Sequence, residues 1–302
     1  MADSMIQRDI ARLLFETGAI RVAPEDRPFW YASGTIGPYY SNTQNLIGSE
    51  TEANNLLARI DSWLDGDRLL LPSKAARYFF EAYETNMCYH TVVDSIKSFL
   101  KANVDMNNYD VVSGGARRDW FFSFITAGVF NKPHLTIFKD QYMTLSEPLR
   151  DGMIDGIALP VFEDGLSNIN CLHVSDIITE ASSYSRVWAP AARKAGAVIG
   201  ASLTILDRLQ GGDAALEALG IRHMSLAQLD AGFFDSAYNQ RYIDARQYAR
   251  LTEYIADPHG SMASFLKEHP DFVQNALAGG GKDAERARMC IESGVYGDAV
   301  TP

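Results

Sequence analysis

The segment "CLHVSDIITEASSYSRVW", residues 171–188, passes from an apolar run through an acid and a loop of hydroxyl residues into a helical pattern. In open parallel sheets, ligands lie beyond the carboxyl ends of the strands, and the turn after Asp176 lies at such an end. Backbone N–H groups at the start of a helix carry partial positive charge and point toward an anion. The segment is therefore typical of a loop that holds a phosphate. The alternative is that Asp176 and the serines only cap the helix.

Apolar runs on both sides of this segment extend the same pattern. Strands are predicted for "DRLLLP" (67–72), "DVVSGG" (110–115), "HLTIFK" (134–139), "MIDGIAL" (153–159), "INCLHVSDI" (169–177) and "AVIGASLTILD" (197–207). Helical patterns occupy residues 5–18, 50–65, 74–102, 117–130 and 183–195. This alternation favours an α/β fold with an open parallel sheet flanked by helices. After residue 230 the pattern predicts helices only.

Composition and charge argue against nucleic-acid-binding and membrane-spanning proteins. The chain has 302 residues and a formal net charge of −11, whereas non-specific nucleic-acid binding needs a surplus of Lys and Arg. No apolar run reaches the roughly 18 residues that span a bilayer, and the N-terminus has no apolar signal region. Three separated cysteines without metal-ligand spacing are typical of a reducing compartment. We expect a cytoplasmic protein with neither a nucleic-acid nor a membrane partner.

Several motifs occur in an order that resembles the orotate phosphoribosyltransferase family over about residues 8–230. They are "LLFETGAIRV" (13–22), "ASGTIGPYYSN" (32–42), "VVSGGARRDWFFS" (111–123) and "HVSDIITEASSYSRVWAPAARKAGAVIGASLTILDRLQGG" (173–212). The resemblance implies a type I phosphoribosyltransferase-like sheet. It divides the chain into an N-terminal helix and hood (1–66), an α/β core (67–230) and a C-terminal helical extension (231–302).

The resemblance also implies an activity, which is transfer of a phosphoribosyl group from phosphoribosyl diphosphate to a pyrimidine-like base. Mg²⁺ would act on the diphosphate without a predicted protein ligand, and the protein would be a homodimer. By position, Lys139 and Asp176 would be catalytic. Phosphate and ribose would be bound by Asp176, Thr179, Ser182, Ser183 and Arg118, and the base would be bound by Tyr39, Tyr40 and Arg208.

The chain departs from the family pattern at several of these positions. Ser175 replaces the first of two consecutive acids, Asp119 follows the diphosphate-binding position where the family has glycine, and Ala181 stands where a glycine gives access to positive φ. A Glu180 carboxylate about 5 Å from a phosphate charge would cost roughly 3 kcal/mol. Two interpretations stay open: an active transferase with an altered acceptor, or a catalytically degenerate protein that acts as a phosphate- or nucleotide-binding regulator or scaffold.

Overall fold

The structure is a computed structural model that describes residues 2–148 and 157–300, with side chains from Ile6 onward. The α-helices of these ranges are α1 Ala2–Glu16, α2 Glu50–Leu64, α3 Leu71–Thr85, α4 Met87–Asn103, α5 Trp120–Val129, α6 Ala189–Lys194, α7 Gly212–Ala218, α8 Ala231–Asn239, α9 Ala245–Ala256, α10 Pro258–Glu268, α11 Asp271–Gly279 and α12 Gly281–Ser293. The strands are β1 Ile20–Val22, β2 Phe29–Trp30, β3 Ile36–Gly37, β4 Tyr39–Ser41, β5 Val111–Gly115, β6 His134–Ile137, β7 Met143–Leu145, β8 Leu159–Pro160, β9 Asn170–Ile178, β10 Val198–Asp207 and β11 Arg222–Gln228.

The main sheet has seven strands in the order β11-β10-β9-β5-β6-β7-β8. The five strands from β11 to β6 are parallel, and β7 and β8 add an antiparallel edge. Strands β9 and β10 are apolar along most of their length because helices cover both faces of a parallel sheet. The predicted α/β fold with an open, mostly parallel sheet is confirmed.

The carboxyl ends of β5 and β9 lie side by side, since these two strands pair in parallel from Val111 opposite Cys171 to Ser113 opposite His173. Each strand is followed by a loop and then by helical backbone, α5 after β5 and a π-helical turn at Tyr184–Trp188 after β9. The two loops therefore emerge at the same edge of the sheet, where ligands bind in open parallel folds.

Two strand predictions need comment. The strand predicted at residues 67–72 is wrong: Leu71 begins α3, and Pro72 lies in its first turn, where a missing N–H costs no hydrogen bond. Of the strand predicted at residues 153–159, positions 153–156 lie outside the described residues, and Leu159 belongs to β8. Strand β11, the parallel edge, and strand β7 were not predicted.

The chain forms two compact units by its packing. One consists of Met1–Ala19 and Asn42–Leu229 and carries the seven-stranded sheet; the other consists of Ile20–Ser41 and Asp230–Pro302. The second unit contains the strand pairs β1–β4 and β2–β3 and the helices α8 to α12. Within it, the Trp30 ring stacks on the Phe272 ring. The predicted C-terminal helical extension is thus observed, while the three-part division of the sequence stays a prediction.

Within the described residues, no helix combines the length and the apolar character needed to cross a bilayer.

Candidate functional site

A cavity of about 370 Å³ lies at the carboxyl ends of β5 and β9, within the sheet-bearing unit. The loop after β5 and the loop after β9 supply most of its wall, and β6 contributes through the turn that follows it. Six of the predicted site residues line this cavity: Arg118, Lys139, Asp176, Thr179, Ser182 and Ser183. The structure therefore brings together all the residues predicted for catalysis and for phosphate and ribose binding.

The loop after β9 presents its hydroxyl groups to the cavity. Thr179 is half-buried, while Ser182 and Ser183 are exposed and line the cavity. Ala181 adopts a φ of 54°, the left-handed conformation that a glycine would reach without steric cost. The loop thus makes a left-handed turn at the position where the family pattern has glycine, although alanine stands there.

Glu180 points away from the cavity. Its residue is exposed, and it is absent from the cavity wall although both of its neighbours belong to it. Within residues 2–148 and 157–300, no ion pair joins it to Arg186. The repulsion considered from the sequence therefore does not act at close range, because the carboxylate is directed to solvent, where the dielectric constant is high.

Two carboxyl groups, those of Asp119 and Asp176, form the acidic part of the wall, and each is about 7% exposed. Asp119 accepts hydrogen bonds from the backbone N–H groups of Gly115 (3.0 Å) and Asp176 (3.1 Å), so it joins the ends of β5 and β9. The backbone N–H of Ile177 donates to Asp176 Oδ1 at 2.7 Å. Asp119, seen in the sequence only as an added negative charge, is therefore also a structural link.

Burial, and after it the neighbouring Asp119 charge, raise the pKa of Asp176 from 3.8 to about 8 against the opposing effect of Arg118. A carboxyl group that loses its hydration and faces another acid favours its neutral form. Asp176 therefore holds a proton near neutral pH, and its carboxyl group can both donate and accept hydrogen bonds.

The cations Arg118 and Lys139 lie in the solvent-exposed part of the cavity wall. Arg118 and Lys139 are both exposed, and Lys139 lies in the tight turn between β6 and β7, where the backbone N–H of Phe138 bonds the Tyr142 carbonyl at 2.9 Å. Arg117 also lines the cavity and forms an ion pair with Asp61 of α2. Arg150, a second base in the segment that follows Lys139, lies outside the described residues.

A buried network of hydroxyl groups supports the wall behind Asp176. The Tyr184 hydroxyl is hydrogen-bonded to Ser175 Oγ (2.9 Å) and to Ser202 Oγ (2.5 Å), and Ser175 Oγ also lies 3.0 Å from Thr204 Oγ1. Burial raises the pKa of Tyr184, so this hydroxyl stays protonated. The sequence analysis missed the role of Tyr184, and the only signal for it was a tyrosine at the start of the helical pattern in the first segment quoted.

The three residues predicted to bind the base do not line this cavity. Arg208 follows β10, and its backbone N–H donates to the Ile178 carbonyl at 3.1 Å. Tyr39 and Tyr40 belong to the other compact unit. Tyr39 is 3% exposed, and its ring packs against Phe234 and Tyr254, which supports a packing role. Their assignment as base-binding residues stays a prediction.

The fit of a magnesium ion can be judged from the donor groups. No cluster of three or more His, Cys, Asp or Glu side chains suited to a metal occurs in the part of the chain that the structure describes. Mg²⁺ commonly keeps several waters and uses one or two carboxylates together with phosphate oxygens. Asp119 can supply one such carboxylate, and Asp176 a second after a bound cation displaces its proton, so the wall fits an ion that arrives with its phosphate ligand and does not fit an ion held by the protein alone.

Comparison with known proteins gives matches in structure only. No family model matches the chain, and no curated protein matches it in sequence. The structure of Leishmania donovani UMP synthase is similar over 83% of this chain with a TM-score of 0.52 and 12% identity, and the match spans 42% of that longer chain. Two orotate phosphoribosyltransferases are also similar: that of Francisella tularensis (TM-score 0.47, 13% identity, 80% of this chain and 95% of that one) and that of Aeropyrum pernix (0.43, 18%, 75% and 97%).

The strand order and the likeness to UMP synthase agree with what the motifs in the sequence predicted. Since identities of this size concern the fold, substrate and activity do not follow from them. The chain has an open, mostly parallel α/β sheet flanked by helices, and this fold is similar to that of the UMP synthase structure, in agreement with the expected type I phosphoribosyltransferase-like fold.

Proposed function

We propose that the chain binds phosphoribosyl diphosphate in the cavity at the ends of β5 and β9 and transfers its phosphoribosyl group to a pyrimidine-like base. One observation carries the proposal: a hydroxyl-bearing loop, an acid at a strand end and two cations share one cavity wall, and Glu180 is directed out of it. Hydroxyl groups and backbone N–H groups suit the 5′-phosphate. Arg118 and Lys139 suit the diphosphate.

The proposed chemistry is mainly electrostatic. As the bond from the ribose carbon to the diphosphate breaks, positive charge develops on the sugar and negative charge on the departing group, and fixed cations near that group stabilise the transition state. Mg²⁺, when bound with the diphosphate, would neutralise part of its charge. The carboxyl group of Asp176 would orient the ribose hydroxyls through hydrogen bonds, and the closed wall behind it keeps the sugar in one position.

A second candidate is a protein that binds the same ligand without turnover. The observation in its favour is Asp119, whose carboxyl group lies in the wall close to the position where the diphosphate would leave. A negative charge there opposes the build-up of charge in the transition state. In this case the chain would act as a phosphate- or nucleotide-binding regulator or scaffold.

Calorimetric titration of phosphoribosyl diphosphate with Mg²⁺, followed by an assay for diphosphate release with orotate and other pyrimidine bases, separates these candidates. Arg118→Ala should weaken binding about tenfold, because a cation next to the ligand is lost. Arg186→Ala is the matched control: it removes an exposed arginine of the same loop-and-helix region that does not line the cavity. Its affinity should stay within about twofold of the wild-type value.

The outcomes distinguish three cases. Binding with diphosphate release supports the transferase, and binding without release under every base tested supports the regulator or scaffold. Absence of binding up to millimolar ligand, or equal losses in the two arginine variants, would contradict both candidates. The homodimer stays a prediction from the family resemblance, and light scattering that gives the mass of a single chain would oppose it.

A further inference from the structure

A second cavity of about 380 Å³ lies between helices α2 and α3, in the sheet-bearing unit. It shares no lining residue with the cavity at the strand ends. Arg59 and Trp63 reach it from α2, and Lys74, Arg77, Tyr78 and Glu81 reach it from α3. The spacings i, i+4 on α2 and i, i+3, i+4, i+7 on α3 place each set on one helix face, so the two faces form the walls.

The charge of this second cavity is unusual for the chain. Arg59, Lys74 and Arg77 stand against the single carboxylate of Glu81. In the described ranges, none of these three cations takes part in an ion pair within 4.0 Å. The whole chain has a net charge of −11, so a shortage of acids does not explain why these cations lack an ion-pair partner. Uncompensated cations around one cavity raise the local concentration of anions.

Aromatic rings lie beside these cations. The Arg59 guanidinium lies over the Tyr78 ring, 5.2 Å from its centroid, and Trp63 meets the same ring edge-on with 6.3 Å between centroids. Both rings are half-buried and line the cavity. A planar guanidinium stacks on aromatic faces, and indole and phenol rings offer contact area to a flat ligand at little entropic cost.

We propose that this second cavity binds a mononucleotide, with the phosphate at Lys74 and Arg77 and the base against Trp63 and the Arg59–Tyr78 pair. The volume falls in the range of small-ligand sites. Arginine binds phosphate oxygens in pairs, and lysine adds a point charge. A ligand with both an anionic group and an aromatic ring satisfies both parts of the wall, whereas inorganic phosphate satisfies only the cations.

The test is a titration of protein labelled with 5-fluorotryptophan with adenosine 5′-monophosphate, and fluorine NMR monitors the tryptophan signals. The chain has four tryptophans, and the signals are assigned by single Trp→Phe replacements. Trp63 reports the second cavity, and Trp188 reports the cavity at the strand ends. The Trp63 signal should shift and saturate below about 1 mM nucleotide, and inorganic phosphate at the same concentration should move it less.

Arg77→Glu should raise the midpoint of the Trp63 shift at least about tenfold, since a cation is replaced by a repelling charge. The Trp188 response to phosphoribosyl diphosphate should not change, which separates this proposal from the proposed function. Lys282→Glu is the matched control, because it makes the same charge change at an exposed position in the first turn of α12.

Two results would overturn the proposal. One is a Trp63 signal that stays still up to about 5 mM nucleotide, or that shifts with the same midpoint in the Arg77 and Lys282 variants. The other is a Trp63 signal that follows protein concentration and not nucleotide, which would mean that a second copy of the chain covers this cavity.

Discussion

Replacement of Asp176 by asparagine tests the electrostatics of the site most directly. Asparagine has nearly the same shape, and its carbonyl oxygen can still accept from the Ile177 N–H, but it cannot ionise. In the wild-type protein the pKa of Asp176 is raised from 3.8 to about 8, mainly by burial and then by the Asp119 charge. The folded state therefore holds a proton that the unfolded state has lost over the pH range between those two values.

The sign of the pH effect follows from this difference in bound protons. Where the folded state binds more protons than the unfolded state, the free energy of unfolding falls as pH rises. Each pKa unit corresponds to about 1.4 kcal/mol, so between about pH 5 and pH 8 the loss cannot exceed about 4 kcal/mol. Water that enters on ionisation of Asp176 reduces this loss, and we expect the free energy of unfolding to fall by about 2 kcal/mol. Asp176→Asn should show no such decrease in its free energy of unfolding. The difference in free energy of unfolding between Asp176→Asn and the wild type should therefore grow with pH.

Urea unfolding of both proteins at several pH values measures that advantage. Glu180→Gln is the control, because it removes an exposed acid of the same loop and should show no growing difference. NMR titration of the Asp176 carboxyl carbon gives the pKa itself. A difference between Asn and wild type that stays constant within about 0.5 kcal/mol from about pH 5 to pH 8 would refute the reasoning. So would a carboxyl carbon that titrates near the ordinary value of about 4.

Three further predictions follow from the same geometry. Tyr184→Phe should lower the free energy of unfolding by about 1–3 kcal/mol in urea titrations, because buried hydroxyl groups of its network lose their partner; an unchanged value would mean that the network contributes little. Glu180→Thr should change the affinity for phosphoribosyl diphosphate less than about threefold, since the carboxylate faces solvent, and a gain near a hundredfold in calorimetry would show that it turns inward. Tyr39→Ala should destabilise the protein by about 3–4 kcal/mol in thermal unfolding, as loss of a buried aromatic ring does. Loss of base binding at unchanged stability would instead support its predicted role at the base.

The sheet and the hydroxyl-bearing loop after β9 could be predicted because they depend on local patterns. Continuous apolar runs such as residues 171–178 identify buried parallel strands, and the hydroxyl cluster that follows can be recognised without tertiary information. The run at residues 67–72 shows the limit. A short apolar stretch cannot be told from the start of a buried helix by periodicity, and Pro72 begins the helix instead of ending a strand.

Side-chain direction and backbone angle could not be predicted from the sequence. Whether Glu180 faces the cavity depends on the dihedral angles of its neighbours, and Ala181 takes a positive φ that its residue type disfavours. The raised pKa of Asp176 depends first on burial and then on Asp119, which is 57 positions away and contacts it only because β5 and β9 are adjacent. The cavity between α2 and α3 could not be predicted either, since Arg59 is separated in the sequence from Lys74 and Arg77, and only the packing of the two helices brings them together.

Ser175 shows how the departures from the family pattern combine. An acid at this position would be a third carboxyl group at the ends of β5 and β9, beside Asp119 and Asp176, and would raise the cost of ionising each of them. Serine instead forms a neutral hydrogen bond with the Tyr184 hydroxyl and lies within hydrogen-bonding distance of Thr204. Position 175 thus keeps polar contacts without adding a third carboxyl group to the wall. Because Asp119 adds one acid where the family has glycine, the loss at Ser175 and the gain at Asp119 leave the number of acids at this edge of the sheet unchanged. Relative to that pattern, the added acid lies in the β5 loop as Asp119 and no acid stands at position 175, so under the proposed function the charge that repels an anion would lie on the β5 side of the cavity.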